Sequence, residues 1–210
     1  MNAVSGYILV VEDIPNILEL IETTLKFKGG YRVVAARDGV EALSVIRQRL
    51  PSLVVTDILM PRMDGFSLVH QLRLDPATRH IPVIFLSATY VAPEDKSFAA
   101  LIGATRFLEK PIDIDLLMKT VADLLTQEFA VPSEPLKELE FYEGYRKRIR
   151  IKLDQKSKQI ARLERLLPIV SEAEKESFTA SLHATIAERG ELQVHLEQVE
   201  RRIEAIEKSR

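Results

Sequence analysis

The pattern of apolar residues changes abruptly near residue 128, and that change most constrains what the chain can fold into. Over residues 1–127, short apolar runs alternate with amphipathic segments. This is the signature of a parallel sheet covered by helices. Strand-like runs fall at 7–11, 31–35, 52–56, 81–86 and 105–108, and helical patterns near 15–28, 38–49, 65–73, 93–102 and 113–127. Gly29-Gly30, Gly39, Pro51, Pro82 and Pro111 punctuate their edges. The expected fold class is α/β, a five-stranded doubly wound parallel sheet whose crossovers are right-handed.

Beyond that point no strand-like run follows. Pro132 and Pro135 frame a predicted linker over 128–135, and residues 136–210 read as helix. Leu139, Tyr142, Ile149, Leu153, Ile160, Leu163 and Leu167 form one stripe; Phe178, Leu182, Leu192, Leu196, Val199, Ile203 and Ile206 form another. Both follow a heptad frame, broken at Arg146, Lys156, Thr185 and Arg189. Pro168 stops the first helix, and Ser171 with Glu174 has the form of a capping box opening the second. The expectation is a long-helix coiled coil or antiparallel hairpin. The first helix is basic over 146–165 and the second is rich in glutamate. Folding back around Pro168 then brings Arg148 near Glu191 and Glu138 near Arg201, while Glu197 and Glu200 approach acidic partners. Gly190 costs ~1 kcal/mol relative to alanine inside a helix, and the sequence leaves open whether it breaks the second helix. So small a core leaves apolar stripes that predict docking or self-association, with a homodimer expected.

Composition narrows the setting. The 210 residues are 46% hydrophobic, which suffices for a core. No apolar run approaches the roughly 20 residues of a membrane span, and no signal-peptide pattern is seen. Cysteine is absent, which excludes disulfides and thiolate metal sites and fits a cytoplasmic location. A net charge of −2 gives no global attraction to nucleic acid.

The chemistry concentrates at strand ends. The run Leu53 to Thr56 ends at Asp57, and Pro61 and Gly65 force a loop directly afterwards. Glu12-Asp13 follows the first strand-like run. Carboxylates at the C-terminal ends of parallel strands lie where open α/β sheets bind ligands. Set side by side, they suit a hard divalent cation and, with it, a phosphoryl group.

With Met60-Pro61, Met63-Asp64-Gly65, Ser87 in Phe-Leu-Ser-Ala, Phe107, and Lys110-Pro111, residues 1–127 resemble the receiver domain of a two-component response regulator. The resemblance implies a flavodoxin-like fold with Asp57 as phosphoacceptor. It also implies Mg²⁺ held by Glu12, Asp13, Asp57 and the backbone carbonyl of Leu59, with Glu12 acting mainly through water. Lys110 would pair with Asp57 and later with a phosphoryl oxygen, and Ser87 would donate to another. Ser87 and Phe107 would form the switch. Leu59 and Thr89 occupy positions that tune the lifetime of the aspartyl phosphate, and shielding by Leu59 favours a long-lived one. The implied partner is a histidine kinase or histidine phosphotransfer protein, and no recognisable catalytic output motif follows the receiver.

Other readings belong to different classes. The basic run Arg146 to Arg150 could contact nucleic-acid phosphates, although its apolar residues keep helical spacing and the facing helix can neutralise it. A phosphorelay intermediate would pass the phosphoryl group from Asp57 to a histidine protein. Asp64-Gly65 reads as turn and cap chemistry rather than a ligand. His183 reads as a solvated helix histidine, since the residues expected after a phosphorylated histidine are missing, and His195 has still less support.

Overall fold

A computed structural model describes residues 6–126 and 134–209, so most of the linker expected over 128–135 lies outside the described residues. The chain divides into two compact units, Met1–Leu136 and Lys137–Arg210.

The first unit alternates β1 (Ile8–Val11), α1 (Pro15–Phe27), β2 (Val33–Ala36), α2 (Gly39–Gln48), β3 (Leu53–Asp57), α3 (Gly65–Leu74), β4 (Val83–Ser87), α4 (Pro93–Leu101), β5 (Arg106–Glu109) and α5 (Ile114–Thr126). All five strands are parallel, in the order β2-β1-β3-β4-β5. Strand order reverses between β1 and β3, so their carboxyl ends flank the crevice where sheets of this kind bind ligands.

Burial explains the elements. Strands β1, β3 and β4 are buried at every position, as expected for a sheet covered on both faces. Ile8, Val10, Leu53, Val55, Ile84 and Leu86 pack with Ile21 and Leu25 of α1 and with Leu117, Val121 and Leu124 of α5. Each fully buried aliphatic side chain of this kind stabilises the fold by about 1.5–3 kcal/mol. On α3, Phe66 packs edge-on against Phe85 of β4.

Local signals place the helix starts. Asp38 accepts from the N–H groups of Val40 and Glu41 to cap α2, and Asp64 accepts from Ser67 to cap α3. Pro15 and Pro93 open α1 and α4, where a missing N–H costs nothing. Gly103, at φ +97°, closes α4 in a Schellman motif. There Ala104 N–H bonds Ala99 O and Gly103 N–H bonds Ala100 O.

The second unit pairs α6 (Glu138–Leu166) with α7 (Glu172–Lys208). The Glu174 carboxylate accepts from both the backbone N–H and the hydroxyl of Ser171, which fixes the start of α7 as its sequence suggests. Helix α7 runs unbroken through Gly190, and a Cβ built there meets nothing within 4 Å. The question left open by that glycine is resolved in favour of one continuous helix.

Two expectations for this unit need correction. Leu192, Leu196, Val199 and Ile203 are buried on α7 and Ile149 and Ile160 on α6 as predicted, but Phe141 and Tyr145 are the fully buried residues of the first turns of α6, while the predicted Leu139 and Tyr142 are half-buried. Phe141, Tyr145 and Ile149 stand four residues apart, so spacing alone admits this stripe as readily as the other. The ion pairs also differ. Glu138 pairs with Arg202 rather than Arg201, Arg150 pairs with Glu200, and Lys156 pairs with Glu188. Arg148 and Glu191 do not pair, and Glu200 meets a cation rather than the expected acid. Long side chains reach a turn along the neighbouring helix, so apolar packing sets the register and charges choose partners within it.

Candidate functional site

Three strand ends build the site. Glu12 and Asp13 follow β1, Asp57 ends β3, and Lys110 follows β5. Glu12 and Asp57 are buried, whereas Asp13 is partly exposed. One carboxylate oxygen from each of the three lies within 4.8 Å of the others, close enough to share one cation. Lys110 Nζ stands 2.9 Å from Asp57 Oδ1 and 2.8 Å from Glu12 Oε2. The expected Lys110–Asp57 pair therefore forms, and the same ammonium also engages Glu12 directly.

The electrostatics follow from crowding. Burial pushes the Glu12 carboxyl above the ordinary carboxylate range, and the Asp57 charge adds to the rise while Lys110 opposes it. Asp57 is likewise raised by burial, against the pull of Lys110. For Lys110, burial alone would lower the ammonium. The two carboxylates outweigh it, so the group lies above its usual value. Three carboxylates facing one ammonium leave an excess of negative charge, and hard oxygen donors suit a divalent cation such as Mg²⁺. The donor set fits such an ion.

The loop after Asp57 is held close to the site. Gly65 N–H donates to Ile58 O at 2.8 Å. A Cβ on Gly65 would lie 2.1 Å from the Asp57 carbonyl oxygen, so only glycine permits this approach. Asp64 and Gly65 thus serve cap and turn, as the sequence indicates. Farther along the loop, Arg62 (φ +63°) pairs with Asp38, and Gly39 N–H donates to Met63 O at 2.9 Å. Sequence reasoning missed this brace because its partners lie on different βα connections. Leu59 lies in the same loop, two residues beyond Asp57.

Ser87 ends β4 and is buried. Its Oγ accepts from Thr89 N–H at 3.1 Å and from Tyr90 N–H at 2.9 Å. Phe107 lies on the adjoining β5, opposite Phe85 and therefore two residues before the partner of Ser87. It is half-buried, with Lys96 Nζ 5.8 Å from its ring centroid. Lys96 also pairs with Glu109 at 2.6 Å. Tyr90, fully buried, is a second residue that sequence reasoning missed. The available signal was a single aromatic side chain in the short connection Ala88 to Ala92.

Two of the four histidines, His183 and His195, belong to the second unit. His183 is exposed as expected, and His195 is buried on α7.

Comparison with known proteins places the site in context. The family model described as the response regulator receiver domain matches residues 8–122. The response regulator Rre1 of Synechocystis is 34% identical over 142 residues, covering 66% of this chain. The chain in turn spans 61% of Rre1. The solved receiver domain of a signal transduction histidine kinase from Syntrophus aciditrophicus superposes with a TM-score of 0.55 at 35% identity. It covers 63% of this chain and 98% of its own. The receiver domain of a sensor histidine kinase from Pseudomonas aeruginosa, solved with a magnesium ion coordinated in its active-site cleft, gives a TM-score of 0.53 at 27% identity. It covers 58% of this chain and 98% of its own.

Proposed function

Because the chain belongs to the response regulator receiver family, we propose that it accepts a phosphoryl group on Asp57 and signals through its C-terminal helices. The donor is a histidine kinase or a histidine phosphotransfer protein. A P–N bond to the donor imidazole breaks as an Asp57 carboxylate oxygen forms the new P–O bond. The observation that carries this reading is Lys110 Nζ held between Asp57 and Glu12, with Asp13 completing the acidic cluster.

Each residue then has a physical task. Asp57 is the nucleophile, poised at a strand end. Glu12, Asp13, Asp57 and the Leu59 carbonyl would hold Mg²⁺, which when bound supplies the positive charge that lets one anion approach another. Lys110 is a mobile counterion that can follow a phosphoryl oxygen, while Ser87 donates a hydrogen bond to another. Positioning and charge stabilisation are nearly all that phosphoryl transfer requires.

The readout uses the adjoining strand. As Ser87 moves towards the phosphoryl group, Phe107 turns inward and leaves the cation above its ring. Lys96, which bridges that ring and Glu109, then loses one of its two contacts. The surface of α4, β5 and α5 is thereby remodelled, a local charge event biasing a two-state face. Residues 136–210 act as a non-enzymatic output and dimerisation region, through altered packing, homodimerisation or binding of a downstream protein. The setting is the cytoplasm. Pairing of Arg150 with Glu200 and of Lys156 with Glu188 weighs against a nucleic-acid role for the basic stretch of α6.

The test treats wild type and Asp57→Asn with acetyl phosphate and Mg²⁺, followed by intact mass spectrometry and light scattering. Wild type gains one phosphoryl group and Asp57→Asn gains none. A wild type that remains unmodified defeats the reading. Modification without a change in molar mass removes oligomerisation as the output and leaves packing and partner binding.

A further inference from the structure

The connection from β4 to α4 is organised around Tyr90, a residue with no assigned part in phosphoryl transfer. Its ring is fully buried and meets Phe66 edge-on, at 5.1 Å between centroids and 73° between planes. Phe66 also meets Phe85 at 5.2 Å and Phe98 at 5.3 Å, so one ring ties together β4, α4 and the connection between them. Phe66 is itself the second residue of α3, directly after the glycine that abuts the Asp57 carbonyl.

The backbone of Tyr90 completes the chain of contacts. Its N–H, with that of Thr89, donates to Ser87 Oγ. A serine hydroxyl offers two acceptor lone pairs and one donor proton. Two N–H donors therefore match the acceptor capacity of Ser87, and they pin its oxygen to the turn that Tyr90 anchors. Ser87 can advance towards Asp57 only by giving up these bonds or by carrying the turn with it. Carrying the turn would pull the Tyr90 ring away from Phe66.

We propose that Tyr90 is a positioning residue that holds Ser87 in its unphosphorylated place and so sets how readily Asp57 is phosphorylated. The proposal rests on the reading of Asp57 as phosphoacceptor. If Ser87 must advance before or during transfer, the phosphorylation rate scales with the fraction of molecules in which it has advanced. Weakening the anchor raises that fraction.

The experiment measures the initial rate at which the full chain is phosphorylated by acetyl phosphate in excess Mg²⁺, for wild type, Tyr90→Leu, Ser87→Ala and the double variant. Thermal melting of each verifies that it is folded. Tyr90→Leu is expected to accelerate phosphorylation by about two- to tenfold, the factor that an edge-to-face ring pair is worth. In the Ser87→Ala background the acceleration should vanish, because Tyr90 acts through that hydroxyl. A folded Tyr90→Leu protein that is slower than or equal to wild type overturns the proposal; a slower one would mean that the anchor preorganises Ser87 as a donor. Acceleration that persists without the Ser87 hydroxyl also overturns it. Should Tyr90→Leu fail to fold, Phe66→Leu removes the other ring of the pair and is judged by the same outcomes. A wild type that takes up no phosphoryl group defeats the phosphoacceptor reading itself, and this proposal with it.

Discussion

The two units of this protein bury side chains for different purposes. In the first, burial reaches the acids: Glu12 is wholly enclosed and Asp57 nearly so, and a lysine is committed to both. In the second, the buried seam is mainly aliphatic and aromatic, with Phe141, Tyr145 and Ile149 on α6 and Leu192, Leu196, Val199 and Ile203 on α7, and the polar groups enclosed beside them, Lys152, Thr185 and His195, include no acid. The pairs Arg150–Glu200 and Glu138–Arg202 lie towards solvent, where each is worth at most about 1 kcal/mol. A sheet covered on both faces by helices can hold charge in a costly place and use it for chemistry. A helix pair of this composition holds a register, and its surface charges refine that register.

The contrast is sharpest for one substitution made in both units. Gly65→Ala drives a methyl group into the Asp57 carbonyl, where backbone rather than a flexible side chain must yield. It is expected to destabilise the first unit by about 4 kcal/mol or more, the range of exceptional single substitutions, and to displace Asp57. Chemical denaturation and loss of phosphorylation by acetyl phosphate measure both effects. Leu192→Ala should cost about 2–5 kcal/mol in the second unit, from lost burial and the cavity left behind. Circular dichroism of the helical transition measures that loss, and retention of Asp57 phosphorylation in this variant would sharpen the distinction. If phosphorylation disappears with the helical transition, the two units do not divide the work as described.

A third test uses acidity. Burial raises the folded-state Asp57 carboxyl above its unfolded value. In metal-free protein its contribution to stability is therefore fully present below the unfolded value of about 3.9 and is lost as pH rises through the higher folded value. Asp57→Asn removes this contribution. Its stability should fall less steeply than that of wild type as pH rises from acid towards neutral, in denaturant titrations with a chelator present. An unchanged slope would mean that Asp57 ionises in the fold as easily as in the unfolded chain. The smallest effect is Gly190→Ala, which meets open space on a continuous helix and should stabilise α7 by about 1 kcal/mol. The same replacement thus changes sign between the two units.

Legibility in the sequence divides along the same line. Each predicted strand and helix of the first unit falls within two residues of an observed element, because prolines, glycines and short apolar runs mark their ends. The acidic cluster with Lys110 was legible because ordered spacing over nearly 100 residues carries more information than any one carboxylate. What escaped was determined by packing across connections. Nothing local shows that Lys110 reaches Glu12, that Arg62 meets Asp38, or that Tyr90 folds into an aromatic cluster. In the second unit, helix existence and the capping signal at Ser171 were legible. The choice between Leu139–Tyr142 and Phe141–Tyr145 was not, since both spacings fit a helix face and only the packed partner selects one.

The continuity of α7 has a mechanical consequence. Its 37 residues make a rod of about 55 Å, with no interior break to absorb a displacement. The buried side chains facing α6 recur every three or four residues, so intermediate offsets leave ridges opposed to ridges. Sliding along that seam is therefore expected in discrete clicks of about one helical turn, roughly 5.4 Å, rather than as a gradual creep. A push delivered anywhere along such a rod is either ignored or felt at both of its ends.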